Sequence, residues 1–349
     1  MSVKDKIRYL KEEIAKIAKS DMQIMEVCGT HTMGLAKHGI RAMLPSNIKI
    51  ISGPGCPVCV SGQGDIGVAI NLAKRSGITV ATFGDMLKVP SKGETLLGMP
   101  NVKVVYSPME ALAYAKNNKD QEVVFLGIGF ETTAPLIAAT IVAADRDNVT
   151  NFSVFSVHKT VPEALKIICS DKSSNISNLL LPGHVSAITG SNYFEFLRET
   201  KTRGVIAGFD PLGIMESIYL LVKMFNDGCV DIINNLTNVV TPAGNEKALA
   251  LLDKIFKPTD SYWRGIGMIP RSGLEIRLDF SAYDAKVKFD LSVEDISEPA
   301  GCRCGDILMG KIIPPKCVHF GKGCTPLSPI GPCMVSSEGT CAAYYKYNV

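Results

Sequence analysis

The chain has 349 residues, 46% of them hydrophobic and 20% charged, which is the composition of a folded globular protein and excludes a disordered one. That length predicts two or three domains. A formal net charge of only +3, with no block of Lys or Arg, argues against nucleic acid or an anionic membrane as partner.

The chain opens with "MSVKDKIRYLKEEIAKIAKS", where charges of both signs recur at helical spacing without an apolar core stretch. This predicts an amphipathic helix over residues 1–20, not a signal peptide. Further on, "VVFLGIGFETTAPLIAATIVAA" is the longest apolar region, but Glu131, paired threonines and Pro135 interrupt it, so no membrane span is expected. A cytoplasmic location follows as the expectation. In a reducing compartment eleven cysteines, an odd number, favour metal or redox chemistry over a disulfide framework.

After the helix, short β-rich runs follow one another: "QIMEVCGTH", "IKIISGPGCPVC", "ITVATFGD", "VKVVYSP", "EVVFLGIGFETT", "FSVFSVHK", "NLLLPGHVS" and "GVIAGFDP". Most are followed by helical periodicity, as in "DIGVAINLAKRSG", "MEALAYAKNN", "APLIAATIVAAD" and "PEALKIICS". Apolar strands alternating with helices predict an α/β fold with parallel sheets covered on both faces. The polar stretch "KNNKDQE" suggests a division into two Rossmann-like α/β domains, residues 21–119 and 120–255, flanking a cleft. Ligands of open α/β sheets bind beyond the carboxyl ends of the strands. Cys28, His31, Cys56, Cys59, Glu131, His158, His184 and Asp210 all fall at such ends.

From about residue 256 the alternation fades, and six of the eleven cysteines fall in the last fifty residues: Cys302, Cys304, Cys317, Cys324, Cys333 and Cys341. So little regular apolar periodicity calls for a metal or crosslinks, which predicts a small Cys-rich domain over 256–349. Four thiolates suit tetrahedral zinc or a cubane iron–sulfur cluster. Zinc ribbons use paired C-x2-4-C hairpins, whereas here only a C-x-C at 302 and 304 is tight, so the wide spacings suit a loop-held cluster better. Zinc stays open as the alternative.

Cys56 and Cys59 form a C-x-x-C pair able to cycle between dithiol and disulfide. The match to a thioredoxin motif is partial, because that motif opens a helix and "VSGQG" here reads as a loop. "GQGDIG" formally matches G-x-G-x-x-G, but the Cys56 loop separates it from its strand, against a dinucleotide site. Cys28 ends a strand, where a thiol can be a small core residue, a nucleophile with His31 as base, or a ligand for iron. His158 and His184 are candidates to line the cleft or structural histidines. Cys169 and Cys229 read as core residues, and His319 as a surface one.

Taken together, "MEVCGTHT", "SGPGCPVC", "GFETTAP", "LPGHVSAITG", "IAGFDP", "WRGIGMIPRSGLEIR" and "MVSSEGTCAAYYKY" resemble the HypD family of hydrogenase maturation proteins, from about residue 20 to the C-terminus. The resemblance implies a scaffold and redox protein, not a conventional turnover enzyme. On it, with a HypC-type small maturation chaperone and a HypE-type cyanide donor, the Fe(CN)2CO unit of NiFe hydrogenases is assembled. It implies Cys28 as ligand of the nascent iron and Cys56 and Cys59 as a redox-active dithiol; His31, Thr30 and Glu131, from their place at strand ends, are expected to hydrogen-bond the iron's ligands or carry protons. It also implies a 4Fe-4S cluster on Cys304, Cys317, Cys324 and Cys341, which match the family's C-x12-C-x6-C-x16-C spacing; Cys302 and Cys333 stand outside it. Two other functions compete: an iron–sulfur thiol–disulfide reductase acting on a protein substrate, and a zinc-dependent interaction module.

Overall fold

The computed structural model describes residues 1–171, 176–294 and 296–347. Parts of the expected segments 120–255 and 256–349 therefore lie outside the described residues, namely 172–175, 295 and 348–349. The N-terminal helix, Val3–Ile17, starts at Ser2, which forms a capping box with Asp5 and satisfies amides that open the helix. It buries Leu10 and Ile14 and packs on the helix Pro211–Asn226.

Among the described residues eleven strands follow. They are β1 (Met22–Glu26), β2 (Ile48–Ser52), β3 (Ile78–Thr82), β4 (Val102–Val104), β5 (Glu122–Gly127), β6 (Phe152–Ser156), β7 (Asn178–Pro182), β8 (Arg203–Ala207), β9 (Ile232–Asn234), β10 (Phe256–Trp263) and β11 (Gly267–Ile276). Five form one sheet in the order β2-β1-β7-β8-β9, four form a second in the order β4-β3-β5-β6, and β10 pairs with β11 alone. All pairings within the two larger sheets are parallel. Strands β3, β6 and β7 are buried along their whole length, as expected of strands covered by helices on both faces. The α/β class and the eight anticipated strands are thus present; β9 and the antiparallel pair β10–β11 add to them.

The chain is divided differently from the expectation of 21–119 and 120–255. It leaves the first sheet after β2, builds all four strands of the second, and returns to the first at β7. "KNNKDQE" lies inside the second sheet, since β3 and β5 pair from Ile78↔Glu122 to Ala81↔Phe125. The Asn151 amide reaches the carbonyls of Ala115, Asn118 and Gln121, so this polar stretch is a pinned turn and not a linker. The return to the first sheet sets β1 directly beside β7, which is why chain segments far apart in sequence share one sheet edge.

The tail is built of short turns and helices, among them Cys304–Leu308, Pro332–Val335 and Thr340–Tyr347. Pro332–Val335 packs on the turn Pro57–Val60, and Thr340–Tyr347 on the helix Gly29–Lys37. Cys56, Cys59, Cys304, Cys324, Cys333 and Cys341 consequently belong to one buried apolar cluster. No helix among the described residues is long and apolar enough to cross a membrane.

Candidate functional site

β1 and β2 run in register, ending on the pair Glu26↔Ser52. The loops that leave them therefore emerge side by side. Cys28 follows β1 with extended backbone and N-caps the helix Gly29–Lys37. The loop after β2 meets it closely: Gly53 N–H donates to the Glu26 carbonyl (2.7 Å) and Gly29 N–H to the Gly55 carbonyl (3.0 Å). A Cβ on Gly55 would lie 2.3 Å from the Cys28 nitrogen, so only glycine permits this approach. The residue after Gly55 is Cys56.

The Cys28 thiol is 8% exposed. Burial pushes its pKa up to about 12, against the pull of the His31 and Thr30 amides. Glu26, fully buried in the strand before it, accepts hydrogen bonds from the Cys28 amide (3.2 Å) and the Thr32 hydroxyl (2.5 Å). Desolvation raises this carboxyl to about 7 despite those bonds. Of His31, the backbone amide faces the sulfur. Its ring turns toward β8: Nε2 donates to the Gly208 carbonyl (2.9 Å) and the ring tilts against Phe209. A carbonyl accepts only, so Nε2 carries the proton, and Nδ1 is left without a hydrogen-bond partner. Burial lowers the ring's pKa to about 4, which keeps it neutral at pH 7. His184 stacks on the same Phe209, with ring centroids 3.9 Å apart.

Cys56 and Cys59 are joined as a disulfide, with Cα atoms 5.2 Å apart. Contrary to the loop expected after the pair, they open a helical turn, Pro57–Val60, with Pro57 at its first position and the Cys56 sulfur accepting from the Cys59 amide (3.2 Å). Proline there costs no hydrogen bond and presets the backbone. The G-x-G-x-x-G stretch starts only after this turn, and the room left by Gly64 is filled by the backbone of Glu294.

The tail's six cysteines line a single small pocket of about 20 Å³, together with Ile307, Phe320, Ile330 and Met334. His319, expected at the surface, lines this pocket too and hydrogen-bonds the Ala300 carbonyl (3.0 Å). Cys304 and Cys333 bring their sulfurs within 2.7 Å. Cys304 is held well below the ordinary thiol range, first by hydrogen bonds from Cys302 and Cys333 and further by Arg264. Among the described residues no group of three or more His, Cys, Asp or Glu side chains is arranged to hold a single metal ion. Six thiols among apolar walls, with the His319 ring at the border held to the Ala300 carbonyl, have the chemistry of a soft, sulfur-ligated group.

Tail and sheet meet at Glu338, a residue the sequence reading passed over. Its carboxylate accepts from the Thr30 hydroxyl (2.9 Å), and Gly29 lies so close that a Cβ would sit 2.4 Å from the Glu338 Cβ. Glu26 was missed as well, though a carboxylate inside an apolar strand was a readable signal. Other anticipated residues go elsewhere. Asp210 caps the helix Pro211–Asn226. Glu131 accepts from the Val161 amide and the Tyr193 hydroxyl and lines a pocket of about 300 Å³ that no cysteine borders. His158 is buried, with Nδ1 bonded to the Ser156 hydroxyl.

The family model described as "HypD: Hydrogenase formation hypA family" matches residues 5–348. The chain is 43% identical to hydrogenase maturation factor HypD of Azotobacter vinelandii, across 97% of this chain and 93% of the relative. Against the HypD of Rhodobacter capsulatus it is 38% identical (98% and 93%), and against that of Escherichia coli 37% (98% and 94%). Matches of this length and identity place the chain in the HypD family of hydrogenase maturation factors.

Proposed function

We propose that this hydrogenase maturation factor is the scaffold on which the Fe(CN)2CO unit is assembled before it passes to the hydrogenase. In this reading Cys28 is the ligand that holds the iron under construction, and a HypC-type chaperone supplies the facing ligand. A HypE-type protein donates cyanide. The single observation that carries the reading is the meeting of three sulfur-bearing segments. The Cys28 loop and the Cys56 loop touch through Gly55, and the tail packs on the helix or turn that each of them opens.

Thiolate suits a soft, electron-rich iron carrying cyanide and carbon monoxide. Cys28 has to lose its proton to bind it, and the helix amides of Thr30 and His31 favour the anion. Cys304, Cys317, Cys324 and Cys341 would hold a 4Fe-4S cluster, whose chemistry is one-electron storage. The Cys56–Cys59 pair takes up two electrons and two protons when its disulfide opens. His31, neutral and hydrogen-bonded to Gly208, fixes the helix whose amides face the Cys28 sulfur.

The buried state of the pair weighs against the thiol–disulfide reductase alternative. Cys56 is 3% exposed and Cys59 not at all, so a protein disulfide has no access to them without an opening. The test is Cys28→Ser, purified without oxygen from cells that make the other maturation factors. Acid-labile sulfide should stay as in the parent chain, while the iron in excess of the cluster and the infrared bands of iron-bound cyanide and carbon monoxide vanish together. Retention of those bands in Cys28→Ser would refute the proposal.

A further inference from the structure

Between the dithiol turn and the cysteine pocket lies a buried charge that neither set of cysteines explains. Arg264, in the turn between β10 and β11, is 1% exposed. Its amide donates to the Val60 carbonyl (2.8 Å) and its Nε to the Ser61 carbonyl (3.0 Å), the two residues that follow Cys59. Nη1 pairs with Glu298 (2.6 Å), while Nη2 is buried without a hydrogen-bond partner. The next residue, Gly265 (φ +80°), touches Gly305 so closely that a Cβ would fall 2.1 Å from the Gly305 Cα. Arg264 is thus clamped on one side to the turn that carries the disulfide and on the other to the helix that begins with Cys304.

A guanidinium stays charged at any physiological pH, and burying it costs several kcal/mol unless it is compensated. Glu298 compensates it in part, being 27% exposed and itself raised in pKa, first by burial. The Arg264 Nη2 keeps no hydrogen-bond partner, so the charge is left undercompensated. The contact of Gly265 with Gly305, the neighbour of Cys304, sets the segment that carries this charge against the helix that enters the cysteine pocket.

We infer that Arg264 is a positioning residue that favours the reduced, more negative form of the tail's sulfur-ligated group, and that Glu298 opposes it. The inference rests on the cluster reading above. A cation fixed in a low-dielectric site stabilises an added electron, so loss of the cation lowers the reduction potential and loss of the carboxylate raises it. Anchored to Val60 and Ser61, the same side chain ties that potential to the position of the dithiol turn.

The experiment is an EPR-monitored potentiometric titration of the full chain purified without oxygen, after iron and sulfide have been counted. For Arg264→Gln the reduced fraction at a fixed potential should fall at least tenfold, which is about 59 mV for a one-electron couple. Arg264→Lys, which keeps the charge, should recover most of it. An unchanged or raised potential in a loaded Arg264→Gln chain overturns the inference. Should Arg264→Gln fail to load, Glu298→Gln decides: a raised potential supports the inference, and an unchanged or lowered one overturns it. A parent chain without iron and sulfide refutes the cluster reading itself, and with it this inference.

Discussion

Alkylation of Cys28 tests the electrostatics of the site most directly. Only the thiolate reacts, and burial lifts this thiol from its ordinary 9.0 to about 12. At pH 8 that leaves about one thiolate in ten thousand, against about one in ten for an ordinary thiol, a loss of about a thousandfold or about 4 kcal/mol. Timed iodoacetamide labelling with peptide mass spectrometry, run on the folded chain and on the chain in urea, measures the ratio. Exposed Cys229 reports the intrinsic effect of urea. Folded Cys28 should react about a thousandfold more slowly than unfolded Cys28, whereas Cys229 should change little. A folded rate within about tenfold of the unfolded rate would refute the buried, protonated thiol. The same reasoning requires ferrous iron to release a proton from Cys28 on binding, because at pH 8 the ligand must be deprotonated by the metal.

Glu26 should make stability depend on pH. Its folded pKa, about 7, lies above the ordinary 4.5, so its contribution is complete below 4.5 and is lost as pH rises through 7. The loss is on the order of 3 kcal/mol. Urea midpoints measured from pH 4.5 to 8 should fall in the parent chain and stay flatter in Glu26→Gln; parallel curves would refute the assignment. Gly55→Ala forces a methyl group into the Cys28 backbone and should destabilise the chain by about 1–3 kcal/mol by urea denaturation. It should also speed alkylation of Cys28 by parting the two loops, and an unaltered labelling rate would count against their close contact. Among the tail cysteines, serine at Cys304, Cys317, Cys324 or Cys341 should abolish bound iron and sulfide. Serine at Cys302 or Cys333 should leave most of it, and the reverse pattern in elemental analysis would reassign the ligands.

The sequence alone located eight of the strands and the residue types that could carry chemistry at their ends. Seven of its eight apolar runs became largely buried strands, because a strand covered on both faces must be apolar nearly throughout, while β4, at the edge of its sheet, stays exposed. Cys28, His31 and the C-x-x-C pair were found at strand ends for the same reason. Pairing was not legible: β3 and β5 are joined across "KNNKDQE", and β1 and β7 across more than a hundred and fifty residues. A hydrophobic run says that a strand has neighbours without saying which ones.

Burial of polar groups was hidden in the same way. Arg264 and Glu338 look like surface charges when read one at a time, and Glu26, though set in an apolar strand, gives no hint of its partners. Their role emerges only where β1 meets β2, where Val60 and Ser61 meet the β10–β11 turn, and where the tail folds over Gly29. The sequence determined which sulfurs the chain owns and how they are spaced along it. The tertiary structure decided which of them stand together, in how dry a setting and beside which charges, because those are properties of packing between distant segments, not of any segment by itself.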